Sequence, residues 1–245
     1  MKKILYSTLV TGVIITGAMA GDTTADIPNT TGDFQVSLDA GYHTKYIFRG
    51  VDLGDDLVDA SFTLGKTCPL TGLELEAGAW YGRILDRPVS NVQGELNLFA
   101  SATKDLGFAK ASVGYVFYHN FKDADDAQEV YLGLSKEVYG FNTSIKYFWD
   151  IETDNQGYTE FAISKSFNSP MTCCGTFDAS LTAGYLVEEG AFSHLTAKVS
   201  KTFKFSDVEV TPYLSYTVEL DDLEVYSGKA EQNEFFAGVG VSYSF

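Results

Sequence analysis

Three histidines are the side chains best suited to acid–base work near neutral pH. They stand far apart in the chain, at His43, His119 and His194. A barrel hydrolase sets a serine or a carboxylate against such a histidine, and no spacing here supplies that partner. The cysteines are Cys68, Cys173 and Cys174, and no His or Cys spacing has the form of a zinc site. Carboxylates dominate: Asp and Glu number 33 against 17 Lys and Arg, a net charge of −16. That balance argues against nucleic acid or anionic phosphate surfaces as partners. No catalytic residue, metal ligand or cofactor is therefore assigned. The remaining chemistry is charge placed on a surface or along a passage, and its meaning depends on the elements that carry it.

The last eleven residues, Phe235 to Phe245, read F-F-A-G-V-G-V-S-Y-S-F. Apolar residues alternate with small or polar ones, the period and length of a strand crossing a bilayer. Such a strand needs hydrogen-bonded neighbours on both edges, so the sheet must close. Tyr243 and the terminal Phe245 have the form of an assembly signal for the outer-membrane barrel machinery. Eleven further segments alternate alike. The expected strands are 34–49 with 58–66, 73–84 with 92–104, 109–119 with 128–136, 141–150 with 158–167, 177–188 with 192–203, and 208–220 with 233–245. The fold class is thus all-β: a transmembrane antiparallel up-and-down β-barrel of about twelve strands, an even number with both termini on one side.

The returning strands are near-repeats. F-T-L-G-K, A-S-A-T-K, L-G-L-S-K, F-A-I-S-K and L-T-A-K-V-S-K end at Lys66, Lys104, Lys136, Lys165 and Lys201. Each lysine lies on the outward parity at the periplasmic end. There it costs about 0–1 kcal/mol, against about 2–4 at mid-bilayer. These lysines are expected at the membrane interface, snorkelling toward lipid phosphates. Trp149 is expected in the opposite aromatic girdle. Pro212 lacks a ladder donor, so a bulge is expected there.

The chain opens with Met1-Lys2-Lys3, an apolar run, and Ala18-Met19-Ala20. This is a signal peptide, cut after Ala20. Residues 21–32 read as a flexible lead-in, and 33–245 as the single barrel. The location expected is the bacterial outer membrane, with its lipids as partners. The cysteines fall in periplasmic turns, with Cys68 six strands from the other two, so no bridge from Cys68 is expected and Cys173 and Cys174 are read as free. The loops opposite the termini are acidic, with Asp52, Asp55 and Asp56 in the first and Asp123, Asp125 and Asp126 in the third. The longest spans 221–232. We read these as solvated loops.

The first hairpin carries Ala40-Gly41-Tyr42 and then Tyr46-Ile47-Phe48-Arg49-Gly50. It resembles the opening of the TorF-like porin family. The resemblance implies a signal-bearing outer-membrane barrel with a pore role, and it brings no catalytic residues.

Twelve strands give a backbone diameter of about 24 Å, leaving about 10–12 Å inside the side chains. The inward parity holds thirteen acids against five bases. Asp39, His43, Lys45, Arg49, Glu76, Glu95, Lys146, Glu160, Lys198 and Glu234 are the expected pore-lining residues. Lys45, Arg49, Lys146 and Lys198 form a basic ladder facing Glu76, Glu95, Glu160 and Glu234. Arg49 and Glu234, on the first and last strands, are expected to close the seam as an ion pair. The function expected is a porin-like channel for small hydrophilic solutes or ions, preferring cations. The alternatives are a closed structural or adhesive barrel, in which these charges neutralise one another, and a barrel hydrolase. The outward face is compatible with a monomer or a homo-oligomer.

Overall fold

The alternating segments become antiparallel strands in the computed structural model, which describes residues 34–88, 93–121, 125–152, 157–168, 176–220 and 233–245. The signal peptide, the lead-in, Asp123, Cys173, Cys174 and the 221–232 loop lie outside the described residues. The strands are β1 (Gln35–Phe48), β2 (Val51–Thr67), β3 (Leu73–Asp86), β4 (Gly94–Asp105), β5 (Lys110–Phe121), β6 (Ala127–Val138) and β7 (Phe141–Asp150). They continue as β8 (Tyr158–Asn168), β9 (Thr176–Leu186), β10 (Ala191–Ser200), β11 (Phe203–Phe205), β12 (Val208–Glu219) and β13 (Glu234–Ser244). β1 pairs with β13 from Ser37↔Ser244 to His43↔Gly238, and the sheet closes. The ends are zipped further: Val36 N donates to Phe245 O at 2.9 Å, and Phe245 N to Val36 O at 3.0 Å.

β10 and β11 are one strand with a break. Ser200 faces Tyr213 and Phe203 faces Val210 on β12 in a single register. The wall therefore has twelve strand positions, as the sequence implies. Pro212 corrects an expectation. Its pairing with Val239 of β13 passes without a register shift, so there is no bulge. The disturbance lies on the other edge. Lys201 N donates to Pro212 O at 3.2 Å, so Pro212 turns its backbone toward β10. With no N–H to give back, it interrupts β10 at Lys201 and Thr202. The hydroxyls of Thr202 and Thr211 bond across that gap at 2.9 Å.

The two faces of the wall invert the usual order of a water-soluble protein. Outward residues such as Leu132 and Val113 are 63% and 50% exposed, whereas inward His43 and Glu95 are each 1% exposed. The outward belt continues through Leu38, Tyr42, Phe62, Leu75, Tyr81, Leu98, Ile145, Phe161, Leu181 and Val241. An apolar belt over a polar interior is what hydrocarbon selects in a closed sheet.

The first hairpin departs from the sequence expectation. β2 begins at Val51 rather than at 58, and the connection is only Arg49-Gly50. Both residues have positive φ, 48° and 87°, as a tight two-residue hairpin turn requires. Asp52, Asp55 and Asp56 are therefore strand residues, not loop residues. Acidic residues look like loop in a sequence, whereas here Asp52 and Asp55 meet Lys45 inside the barrel and Asp56 meets the outward Tyr42.

Candidate functional site

The site is the lumen, and its most unusual part is the tip of the first hairpin. Pairing of β1 with β13 stops at His43↔Gly238, and pairing of β2 with β3 stops at Asp55↔Asp86. Beyond those pairs the two strands pair only with each other. Thr44 completes the edge with its side chain. Its Oγ1 accepts from Ala237 N at 3.0 Å and donates to Ala237 O at 3.2 Å. A register shift between Tyr46 and Ile47, with positive φ at Gly54 and Asp56, then bends the tip inward. Phe48, Val51 and Leu53 are buried with Tyr46, Leu57, Trp80 and Ile84 in one apolar cluster. The tip reaches β10, where a Cβ on Gly50 would lie 2.5 Å from His194 Cβ.

Arg49 carries the tip to the opposite wall. β6 stands five strand positions from β1, and its Glu129 receives both guanidinium nitrogens. Nη1 donates to Oε1 at 2.9 Å and Nη2 to Oε2 at 2.8 Å. Tyr118 OH donates to the same carboxylate at 2.9 Å. The guanidinium carbon lies 4.2 Å from the Tyr158 ring centre, 4.9 Å from Phe48 and 5.0 Å from Phe148. This is a fork-on-fork pair inside an aromatic cage. Burial works against the arginine charge, but Glu129 outweighs it and holds the group above its ordinary pKa. The expected seam pair between Arg49 and Glu234 is thus corrected: a parity count could not foresee the inward bend.

Lys45 takes the seam role instead. Its Nζ lies 3.0 Å from Asp52, 3.3 Å from Asp55 and 3.0 Å from Glu234. One cation thereby ties both hairpin strands to β13. Arg87 also pairs with Asp55. Below Lys45, His43 Nδ1 meets Tyr213 OH at 2.8 Å and Nε2 meets Asp59 at 3.2 Å. Asp59 also accepts from Trp80 Nε1 at 3.2 Å. Lys198 caps the Tyr213 ring at 3.8 Å.

The histidines do have partners, contrary to the sequence expectation. His43 has Asp59, and His119 has Asp126 at 2.8 Å. His194 has Ser193 Oγ at 3.0 Å and stacks on Tyr158. A register shift between Phe192 and His194 turns Ser193 and His194 inward together. No sequence spacing announces a bulge of that kind.

The periplasmic half of the lumen is different. Asp39 accepts from Ser37 at 3.0 Å and from Ser61 at 3.1 Å. Glu76 faces Ser101 across β3 and β4, and Lys146 faces Glu160 across β7 and β8. Lys110 approaches Glu74 at 3.5 Å. Ser112, Ser135, Ser144, Ser164 and Ser180 line the rest, all incompletely buried. Glu95 sits higher, accepting from Tyr46 OH at 3.2 Å. The basic ladder of the sequence reading is thus split between two levels.

The interface lysines have partners of their own. Lys66 lies 4.2 Å from the Phe34 ring, Lys165 4.2 Å from Phe141, and Lys201 4.7 Å from Phe203. Lys104 donates to Thr71 O. Lys136, with no ring contact of this kind among the described residues, stands exposed beside the β6–β7 turn. Trp149 is half exposed at the opposite end, and the Tyr243 ring lies tilted against Phe245, centroids 5.4 Å apart. Cys68 is a free thiol in the β2–β3 turn. Hydrogen bonds from the Thr71 side chain and backbone lower its pKa. Among the described residues no group of His, Cys, Asp and Glu is arranged to hold a metal ion.

No family model matches the sequence, and no curated protein matches it. Solved structures do match in shape. The COG4313 outer membrane channel from Pseudomonas putida F1 aligns with a TM-score of 0.57 at 10% identity, covering 92% of this chain and 100% of that one. A membrane protein studied by in-meso crystallisation aligns at 0.51 and 13% identity, over 86% of this chain and 84% of that one. Outer membrane phospholipase A from Escherichia coli aligns at 0.48 and 13% identity, over 85% and 92%. What this chain has in common with the first two is the fold: an antiparallel up-and-down β-barrel of the outer-membrane type.

Proposed function

We propose that this chain is an outer-membrane channel of narrow bore, passing small hydrophilic solutes or ions and preferring cations. The observation that carries the reading is the form of the obstruction. The periplasmic half of the lumen is lined by serines and charges. The outer half is filled by a hairpin tip that belongs to neither neighbouring ladder and is held by side chains alone. A closed structural barrel needs no such separable part; a passage with a controlled width does. The resemblance of residues 36–52 to the TorF-like porins supports the same reading. So does the apolar belt, which calls for outer-membrane lipid around it, with assembly directed by the strand that ends at Tyr243 and Phe245.

Cation preference follows from the excess of inward carboxylates. The test is conductance of the purified protein in a planar bilayer, with reversal potential across a salt gradient. Discrete cation-selective steps are expected. Anion selectivity would remove the preference, and silence of both the native protein and Arg49→Ala would remove the channel. The chain is not proposed to be an enzyme. Ser193 and His194 lie inside the barrel, buried under Gly50, away from the lipid-facing surface. Hydrolysis of phospholipid or ester substrates by the native protein, lost in His194→Ala, would reverse this.

A further inference from the structure

The cage around Arg49 has the chemistry of a ligand site. Glu129 presents both carboxylate oxygens at 2.8 and 2.9 Å, the spacing and planarity that a guanidinium matches. Tyr118 steadies that carboxylate from behind, with its hydroxyl at 2.9 Å. Tyr158 and Phe148, from β8 and β7, offer ring faces at 4.2 and 5.0 Å. All four of these wall residues are at least nine-tenths buried and lie on four adjacent strands, β5 to β8, that pair without a register shift. The Tyr158 hydroxyl has no hydrogen-bond partner among the described residues. The wall half of this site is therefore built without the hairpin. Only the cation comes from elsewhere, on a tip that no neighbouring strand pairs with along the backbone.

We infer that Glu129, Tyr118, Phe148 and Tyr158 form a recognition site in the mouth for alkylguanidinium solutes, which Arg49 occupies as a built-in competitor. The inference rests on the channel reading for the solute's route to the site, but not for binding itself. Arginine is the natural stand-in because a planar fork fits the carboxylate edge while its face lies on the rings. A compact ammonium ion can satisfy the charge but not both oxygens and the stacked faces together. A solute from outside must displace a tethered rival whose effective concentration is about millimolar or higher. The native protein consequently binds such solutes weakly, and removal of Arg49 unmasks the site.

The test uses Arg49→Ala with methylguanidinium as the probe. In a planar bilayer, millimolar methylguanidinium should block Arg49→Ala currents saturably. The native protein should need at least about ten times more. Arg49→Ala combined with Glu129→Gln should lose the block by about tenfold or more, as should methylammonium in place of methylguanidinium on Arg49→Ala. Equal block with and without Glu129, or equal block by the two cations, would overturn the site. Thermal stabilisation of the detergent-solubilised variants by the same probes measures binding without conductance. A barrel that is silent yet stabilised by methylguanidinium through Glu129 would refute the channel and keep the site. A conducting barrel with neither block nor stabilisation would refute the site and keep the channel. If Arg49→Ala does not fold, Arg49→Gln carries the same comparisons.

Discussion

The two halves of the lumen hold similar residue types in opposite ways. In the outer half, charge is consumed: Arg49 is locked on Glu129, Lys45 on three carboxylates, and the gaps are filled by Phe48, Val51 and Leu53. In the periplasmic half, Glu76, Lys146 and Glu160 stand among serines on a wall that no second layer covers among the described residues. The strands are the same and so is the alternation. The difference comes from a single hairpin that leaves the wall at Thr44 and Asp55. A lumen can thus be polar throughout by sequence and still be packed at one end only. On the proposed channel reading, the packed end sets whether anything passes and the open end sets what is favoured.

The largest effect expected is from Arg49→Ala. Leaving Glu129 buried without its cation costs about 3–5 kcal/mol, and the tip should undock. Single-channel conductance should rise several-fold, with a lower melting temperature; unchanged conductance would mean that the two halves do not differ in function. Gly50→Val attacks the same contact sterically. Its φ of 87° and the 2.5 Å approach to His194 leave no room for a branched side chain, a strain of about 1–3 kcal/mol. Conductance should rise here too, although the charge is intact, which separates fit from electrostatics. Lys45→Met leaves Asp52, Asp55 and Glu234 crowded without their shared cation. A loss of about 1–3 kcal/mol is expected in chemical denaturation, with faster amide exchange at the β1–β13 seam. Glu76→Gln, in the open half, should leave conductance near the native value and reduce cation selectivity in the reversal potential. Lys66→Gln is the smallest: loss of one exposed cation–ring contact should change stability by less than about 1 kcal/mol.

Much of the wall was legible because each face of a strand answers to one solvent. Leu132, Val113 and Ile145 on one parity and Glu76, Lys146 and Glu160 on the other needed only the period of two. The lysine-ended repeats mark one end of the returning strands in the same way, although not the rings that Lys66, Lys165 and Lys201 settle on. Three things were not legible, for one shared reason. The register shift at Tyr46/Ile47, the register shift at Phe192/His194 and the break opposite Pro212 each depend on what a neighbouring strand can accept. Each shift re-aims side chains relative to a parity count, which is why parity points Arg49 at Glu234 and gives His194 no serine.

The chain's own residues determined a closed twelve-position sheet with an oily outside, because alternation is a local property enforced by hydrocarbon on every strand separately. Tertiary structure alone decided that the first turn lies inside the mouth and that Arg49 finds Glu129 across it. That contact joins residues on opposite walls, and only the closed curvature of the sheet brings them within reach.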